Sequence, residues 1–340
     1  MLKVPLPSPY LLFLADVAQH NRAKTALGLV QWAPERCLGQ LRMPGCAADT
    51  GLADLTPERA AAAGAKAMVI GVAPQGGAIP EHWHPTLLRA LDAGLHLVSG
   101  MHMRLRDIAV LRDAAQRLGL SLFDVRHTTQ EIPSANGNPR SGKRLLTVGL
   151  DSALGKKFAA LALTRALEAR GHKATFRATG QTGILIAGSG IAVDAVTADF
   201  IAGAAELLSP ANDPDHWDVI EGQGSIFHAA YAGVTLGLLH GSQPDAMILC
   251  GHATRTQLEL LPHIPHRSYP EAIAAYETLA RVTNPDARVT GISVNTSGLQ
   301  DDAQALAHLD AIAQETQRPA TDPIRFGCDS LIDALTIALV

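Results

Sequence analysis

Short apolar runs alternate with amphipathic segments along most of this chain of 340 residues. In the first half, the apolar runs predict buried strands within 7–21 and at 67–72, 95–100 and 120–125. Helices are predicted between the later strands, at 84–93 and 105–118. Alternation of this kind is typical of βαβ units, whose neighbouring strands run parallel.

A second alternating series follows residues 133–143, which are dense in Pro, Gly, Asn and Ser and which we interpret as a linker. This series predicts strands at 145–149, 173–178, 217–222, 245–251 and 287–295. It also predicts helices at 156–170, 197–208, 270–281, 301–316 and 330–340. The fold class is therefore α/β, with two doubly wound parallel-sheet domains at 1–132 and 144–340.

Composition and charge narrow the class of protein. The chain is 47% hydrophobic with a net charge of −4, and it has no basic run, so we expect no nucleic-acid partner. Its apolar runs stay below the roughly 18 residues of a membrane span, so we expect no membrane association. The four cysteines form no C-x-x-C pair, which favours a reducing cytoplasm and no metal site. The apolar segment 330–340 packs on its own core or on a second subunit, and we expect a homo-oligomer.

The sequence TVGLDSALGKKF at 147–158 lies where the predicted strand 145–149 turns into a helix. Backbone N–H groups converge at such a turn and, with the positive end of the helix dipole, favour a bound anion. The predicted residues of this phosphate cradle are Gly149, Asp151, Ser152, Ala153, Leu154, Gly155, Lys156 and Lys157.

This loop differs in two ways from the usual triphosphate loop, G-x-x-x-x-G-K-[ST]. Gly149 and Gly155 are separated by five residues, and Lys157 takes the place of the hydroxyl residue that holds magnesium. A second cation suits a phosphate-rich ligand that brings no metal, and coenzyme A is one such ligand. The alternatives are a magnesium-dependent triphosphate site and a glycine-rich turn that only caps a buried helix.

Ligands of open parallel sheets bind beyond the carboxyl ends of the strands. At one such end, Glu221 begins EGQGSIFH, which places a carboxylate beside two glycines whose backbone a ligand can approach closely. The combination of the longer loop with this EG-x-G strand end is similar to the dethiobiotin-synthetase branch of P-loop folds. That resemblance implies an adenine contact near the end of the strand 287–295, at Asn295 or Thr296.

Most of the chain resembles the D-glutamate N-acetyltransferase family, which has a Rossmann-like N-terminal half and a P-loop NTPase-like C-terminal half. The matching stretches are AKTALGLVQWAPERCLGQL, GVAPQGGAIPEHW, VSGMHMRLRD, GLDSALGKK, ATGQTGILIAGSGIAVDAV, DFIAGAAE, EGQGSIFH and NTSGL. Some family members carry Asp-Cys within the loop and a Thr two places after its lysine, where this sequence has Ser152 and Phe158. The resemblance implies transfer of an acetyl group from acetyl-CoA to the amine of D-glutamate.

Acetyl transfer to an ammonium group requires a base with a pKa near the working pH. The candidates for this base are Glu221, His228, His252, Asp194 and Asp199. Fixed N–H donors would stabilise the thioester oxyanion, and the backbone of 222–224 or the loop are the expected sources. Arginine matches carboxylates, so the candidate substrate contacts, in the cleft between the domains, are Arg126, Arg177, Gln181 and Thr182.

Each of these residues has a structural alternative, as a hydrogen-bonded histidine, a helix cap or an ion-pair partner. Two other functions also remain open. One is an ATP-dependent ligase or kinase acting on a small carboxylate, which would need magnesium. The other is a nucleotide-responsive binding protein that turns nothing over.

Overall fold

The structure is a computed structural model that describes residues 6–72, 74–128 and 130–338. Residues 1–5 of the predicted N-terminal domain and residues 339 and 340 of the predicted last helix lie outside the described residues. The strands are β1 Tyr10–Ala15, β2 Cys37–Arg42, β3 Ala67–Ile70, β4 His96–Ser99, β5 Leu122–Asp124, β6 Lys143–Gly149, β7 Ala174–Arg177, β8 Trp217–Ile220, β9 Ala246–His252, β10 Gln257–Leu258, β11 Leu261–Pro265, β12 Arg288–Asn295 and β13 Ala320–Thr321.

The helices begin at residues that favour helix starts in several cases. Thr56 caps α2 through its hydroxyl, and Ser268 and Glu271 form a capping box at the start of α9. Both helices also have proline in their first turn, where its missing N–H costs nothing. The helices are α1 Lys24–Trp32, α2 Pro57–Ala62, α3 His84–Asp92, α4 Ala109–Leu118, α5 Lys156–Ala169, α6 Gln181–Ala187, α7 Ile201–Leu208, α8 Ala232–Ser242, α9 Tyr269–Ala280, α10 Asp302–Thr316 and α11 Asp329–Ala338.

The chain divides into two compact units. The first holds the residues up to Gln130 together with Gln181–Ala192, and the second holds Glu131–Gly180 with the rest of the chain. Helix α6 therefore packs in the first unit, whereas the sequence-based boundaries placed it in the C-terminal domain. The reason is local: the Cβ and Cγ of Gln181 approach Gly100, and the hydroxyl of Thr182 lies 3.2 Å from that of Thr25.

The first unit has a five-stranded parallel sheet in the order β2-β1-β3-β4-β5. The second has a six-stranded parallel sheet in the order β13-β12-β9-β6-β8-β7 and a separate antiparallel hairpin of β10 and β11. The predicted α/β class and the two parallel sheets are confirmed. In the second sheet the strand order reverses at β6, which makes the carboxyl end of β6 the place where such sheets bind ligands.

The core of the second unit contains the C-terminal helix. Leu331, Ile332 and Leu335 of α11 are fully buried in a cluster with Leu163 and Trp217. This packing accounts for the apolar face of the predicted helix. By contrast, Ile337, near the end of the helix, is 80% exposed. No helix in the described part of the chain is both long and apolar enough to span a membrane.

Candidate active site

The loop between β6 and α5 has the backbone of a phosphate cradle. Ala153 and Gly155 have left-handed φ angles of 50° and 107°, which turn the chain sharply into the helix. Gly155 is the N-cap of α5, and in the described structure no side chain caps this end. Because the first N–H groups of a helix lack intrahelical acceptors, this end of α5 can receive an anion.

Lys156 lies inside this loop. Its side chain is buried, and its Nζ donates a hydrogen bond of 2.7 Å to the carbonyl oxygen of Asp151. Burial lowers the pKa of Lys156 to about 8, although the nearby Cys250 and Asp151 side chains favour the charged form. Lys157 is more exposed, and its Nζ lies 4.5 Å from the centroid of the Phe158 ring.

Asp151, a predicted cradle residue, turns its carboxylate away from the solvent into the protein. Its Oδ1 accepts the N–H of Ser152 at 2.6 Å, and its Oδ2 accepts the N–H of Glu259 at 2.7 Å. Arg255 and His266 each approach the same Oδ2 at 3.3 Å. Burial raises the pKa of this carboxyl, but the hydrogen bonds from the two N–H groups and from the His266 and Arg255 side chains outweigh burial, and the net pKa is lowered. The side chain therefore holds the loop to the segment 255–266.

The EGQGS segment lies directly against the loop. A Cβ at Gly222 would lie 1.6 Å from the carbonyl oxygen of Thr147 and 3.1 Å from the Lys156 side chain, so only glycine fits. The N–H of Gly222, an expected oxyanion donor, instead donates to the Thr147 hydroxyl at 2.9 Å. Gly224 has a φ of 62°, and a Cβ there would approach Tyr231. The two glycines thus bring the acid at the end of β8 close to the cradle.

Glu221 is the buried acid at this edge, with a relative exposure of 4%. Its Oε2 accepts hydrogen bonds from the N–H groups of Thr179 at 2.9 Å and Gly180 at 3.1 Å. Burial raises the pKa of Glu221 to about 7, and the charge of Lys157 together with these N–H groups opposes the rise. A carboxyl with a pKa near neutrality suits a general base.

Tyr276 of α9 ties the two halves of this site together. Its buried hydroxyl donates to the carbonyl oxygen of Gly149 at 2.7 Å and accepts from the N–H groups of Gly149 and Ile226, each at 3.3 Å. One side chain therefore sets the spacing between the end of β6 and the segment EGQGSIFH at 221–228. The sequence pattern held no signal for this role, because Tyr276 lies 127 residues from Gly149.

The two histidine candidates have different surroundings. His228 is buried, its Nδ1 accepts the N–H of Ala230 at 3.2 Å, and its Nε2 lies 2.9 Å from the carbonyl oxygen of Glu259. Both ring nitrogens thus face the backbone, which suits a structural role for this imidazole. His252, at the end of β9, faces Thr254 through Nδ1, and burial followed by the Arg255 charge lowers its pKa.

The remaining candidates of this unit lie in different elements. Asp194 is exposed, and its charge acts on Glu221, whereas Asp199 is exposed in the short 3-10 helix Ala198–Phe200. Asn295 ends β12 beside His252, and its Oδ1 accepts the N–H of Ser297 at 3.0 Å. The charge of Asp194 therefore contributes to the electrostatic environment of Glu221.

The predicted substrate contacts are divided between the two units. Arg177, in the second unit, pairs with the buried Asp218 on the neighbouring strand at 2.8 Å. In the first unit, Arg126 donates to the Oε1 of Gln181 at 3.1 Å, and Thr182 is buried beside Thr25. Arg177 thus has a structural partner that its position at a strand end did not indicate.

The residues that the structure describes contain no group of three or more His, Cys, Asp or Glu side chains that could hold a metal ion. At the loop, the cation-rich surroundings come from Lys156, Lys157 and Arg255. The predicted cradle therefore combines backbone N–H groups with basic side chains, a set of donors that suits phosphate oxygens.

Comparisons with known proteins show which family has this architecture. A model described as the P-loop domain of DUF1611, a domain of unknown function, matches residues 133–332, and one described as its Rossmann-like domain matches residues 41–128. The chain belongs to the DUF1611 family. A crystal structure of a DUF1611 family protein from Anabaena variabilis has a TM-score of 0.86 and 34% sequence identity, and covers 97% of this chain and 99% of its own.

Two curated relatives of this DUF1611 chain carry a functional name. A D-glutamate N-acetyltransferase from Tritonibacter scottomollicae is 48% identical over 330 residues, which is 97% of this chain and 99% of the relative. A D-glutamate N-acetyltransferase from a Pseudoalteromonas species is 44% identical over 324 residues, 95% of this chain and 97% of the relative. The family resemblance seen in the sequence is confirmed.

Proposed function

We propose that this DUF1611 protein transfers an acetyl group from acetyl-CoA to the amine of D-glutamate. The activity of the two relatives supports the reaction, and their identity extends over nearly the whole chain. The observation that carries the chemistry is Glu221, a buried carboxyl with a pKa of about 7 that precedes Gly222, the residue packed against the loop between β6 and α5.

In this proposal, Glu221 is the general base. The amine of D-glutamate is an ammonium ion at neutral pH, and its nitrogen becomes nucleophilic only when a proton leaves. The Glu221 carboxylate takes that proton, and the amine nitrogen then bonds to the thioester carbon. The carbon–sulfur bond breaks, and the second proton lost by the nitrogen passes to the departing sulfur, so that coenzyme A leaves as its thiol. The N–H groups of Thr179 and Gly180 hold one oxygen of Glu221, which fixes the orientation of the carboxyl.

The loop between β6 and α5 is the site that we propose for the phosphates of acetyl-CoA. The left-handed backbone at Ala153 and Gly155 directs the chain into the uncapped end of α5. Lys156 and Lys157 supply positive charge at the same end. The other residues of the predicted cradle, Ser152 and Leu154 among them, contribute backbone here, and Asp151 acts from behind by holding the loop.

An ATP-dependent ligase or kinase is the second candidate, because the second unit has a P-loop domain. Magnesium in such sites is held by a Ser or Thr that follows the loop lysine. Here Lys157 and Phe158 follow Lys156, and neither can ligate magnesium. This difference favours a donor that needs no metal.

The test is an acetyl-transfer assay with the purified full chain in EDTA. The free thiol of coenzyme A and the mass of the product are measured with acetyl-CoA and D-glutamate, with L-glutamate as the matched control. We expect thiol release and N-acetylglutamate that depend on D-glutamate. Absence of product with acetyl-CoA, together with a product that requires magnesium and ATP, would show that the second candidate is right.

A further inference from the structure

The hairpin of β10 and β11, residues 257–265, is built into the loop site although nothing in the sequence pattern singled it out. Its turn is Glu259 and Leu260. The N–H of Glu259 donates to Asp151 of the loop at 2.7 Å, and its carbonyl oxygen lies 2.9 Å from the Nε2 of His228. The backbone of one turn residue is therefore held by both the phosphate loop and the segment after β8.

The next residue of the turn, Leu260, has an unusual conformation and a large exposed surface. Its φ is 65°, in the left-handed region where a leucine is strained and where Gly or Asn is usual. Its side chain is 75% exposed. Strained residues tend to cluster at ligand-binding sites, and the hydrogen bonds of Glu259 fix this one beside the loop.

A second apolar side chain lies next to this turn. Tyr231 is 37% exposed, and its ring stacks on that of His228 with centroids 4.4 Å apart and planes 21° from parallel. Gly224 also packs closely against Tyr231: a Cβ at Gly224 would lie 2.8 Å from the carbonyl oxygen and 2.9 Å from the Cβ of Tyr231. Tyr231, His228, Glu259 and Leu260 thus form one connected row, with an exposed apolar group at each end.

We infer that Leu260 and Tyr231 form an apolar contact surface for the acyl donor, beside the loop that takes its phosphates. This inference rests on the proposed function. Acetyl-CoA joins a phosphate-rich part to an adenine ring and a pantetheine arm, both of which gain from contact with aromatic and aliphatic side chains. Asp151 and His228 are positioning residues in this arrangement, because they hold the hairpin turn and do not touch the donor.

The test uses Leu260→Asn in the full chain. Asparagine tolerates the left-handed conformation, so the turn is retained while the apolar side chain is lost. The matched control is Val282→Asn, which removes an apolar side chain that is 69% exposed and lies after α9. The dissociation constant of acetyl-CoA is measured by titration calorimetry, without the amine substrate.

We expect Leu260→Asn to weaken acetyl-CoA binding about tenfold, the effect of losing most of one buried leucine contact, and Val282→Asn to leave it unchanged. A parallel titration with S-acetyl-4′-phosphopantetheine, which lacks the adenosine, shows whether this surface contacts the pantetheine arm or the adenosine. Weakening that persists with this ligand assigns the surface to the pantetheine arm, and weakening seen only with acetyl-CoA assigns it to the adenosine. Either result supports the inference.

Equal affinity of the wild type and Leu260→Asn for acetyl-CoA would overturn the inference and leave the proposed function intact. Failure of the wild type itself to bind acetyl-CoA would overturn both. A third variant, Leu260→Gly, relieves the strained φ. We expect it to raise the melting temperature or leave it unchanged while weakening acetyl-CoA binding, and a purely structural turn would show no loss of affinity.

Discussion

Glu221→Gln tests the proposed base most sharply, because it should lower activity and raise stability at the same time. Glutamine has nearly the same shape, and its carbonyl oxygen can accept the N–H groups of Thr179 and Gly180 that now bond to Oε2. The substitution therefore removes the charge and the basicity while it keeps the local hydrogen bonds.

The size of the stability change follows from the pKa. Burial raises the pKa of Glu221 from 4.5 to about 7. At about 1.4 kcal/mol per unit, the ionised side chain lowers the free energy of unfolding by about 3 kcal/mol. An acid with a raised folded-state pKa stabilises the protein fully below its unfolded pKa, and that stability is lost as the pH rises through 7.

Glu221→Gln should therefore be more stable than the wild type by up to about 3 kcal/mol at pH 8, and by less than about 1 kcal/mol at pH 5. The measurement is chemical unfolding of both proteins at the two pH values. In the same preparations, turnover at saturating acetyl-CoA should fall 100-fold or more, the usual contribution of general base catalysis. Wild-type turnover should rise through about pH 7 as the carboxyl ionises.

Two results would contradict the role or the raised pKa of Glu221. Turnover of Glu221→Gln within a few-fold of the wild type would mean that another group takes the proton. A stability difference that is the same at pH 5 and pH 8 would mean that the carboxyl does not titrate near neutrality.

Three further substitutions test the rest of the site. In the wild type, we expect the affinity for acetyl-CoA to fall above pH 8, where the buried Lys156 ammonium loses its proton. Lys156→Ala should raise the KM for acetyl-CoA at least tenfold and remove this pH dependence. Titration with acetyl-CoA across this pH range checks both. Arg177→Gln should lower stability by about 3 kcal/mol because the buried Asp218 loses the cation that is hydrogen-bonded to it, but leave the KM for D-glutamate unchanged; a raised KM would support Arg177 as a substrate contact. Tyr276→Phe should lower the free energy of unfolding, measured with denaturant, by about 1–3 kcal/mol, and it should lower kcat more than it changes KM. An unchanged kcat would mean that the Tyr276 hydroxyl has only a structural role.

Much of the fold was predictable because apolar runs and helix signals are local. The strands at β6, β8 and β9 and the helix α5 were located within a few residues. Helix α8 was missed because Gly233, Gly237 and Gly241 each disfavour a helix by about 1 kcal/mol. Its Gly241 instead lies so close to α7 that a Cβ there would be 2.0 Å from the carbonyl oxygen of Ala202. Tertiary packing explains this helix, and single-residue propensity does not.

The site was predictable where a residue's position follows from the sheet. Glu221 and the loop lie at strand ends, and the strand order places them at the switch point of the second sheet. The roles of Asp151 and His228 were not predictable, because their partners in the hairpin lie far along the chain. Asp151 accepts the N–H of Glu259, 108 residues away. The pattern of one strand and one loop contains no information about such pairings.

We propose above all that the loop between β6 and α5 binds acetyl-CoA without a metal. The decisive measurement is calorimetric titration of the wild-type chain with acetyl-CoA in EDTA and, separately, with ATP and magnesium. We expect saturable binding of acetyl-CoA in EDTA, weakened at least tenfold by Lys156→Ala. Binding of magnesium-ATP with none of acetyl-CoA would show instead that the loop is a metal-nucleotide site.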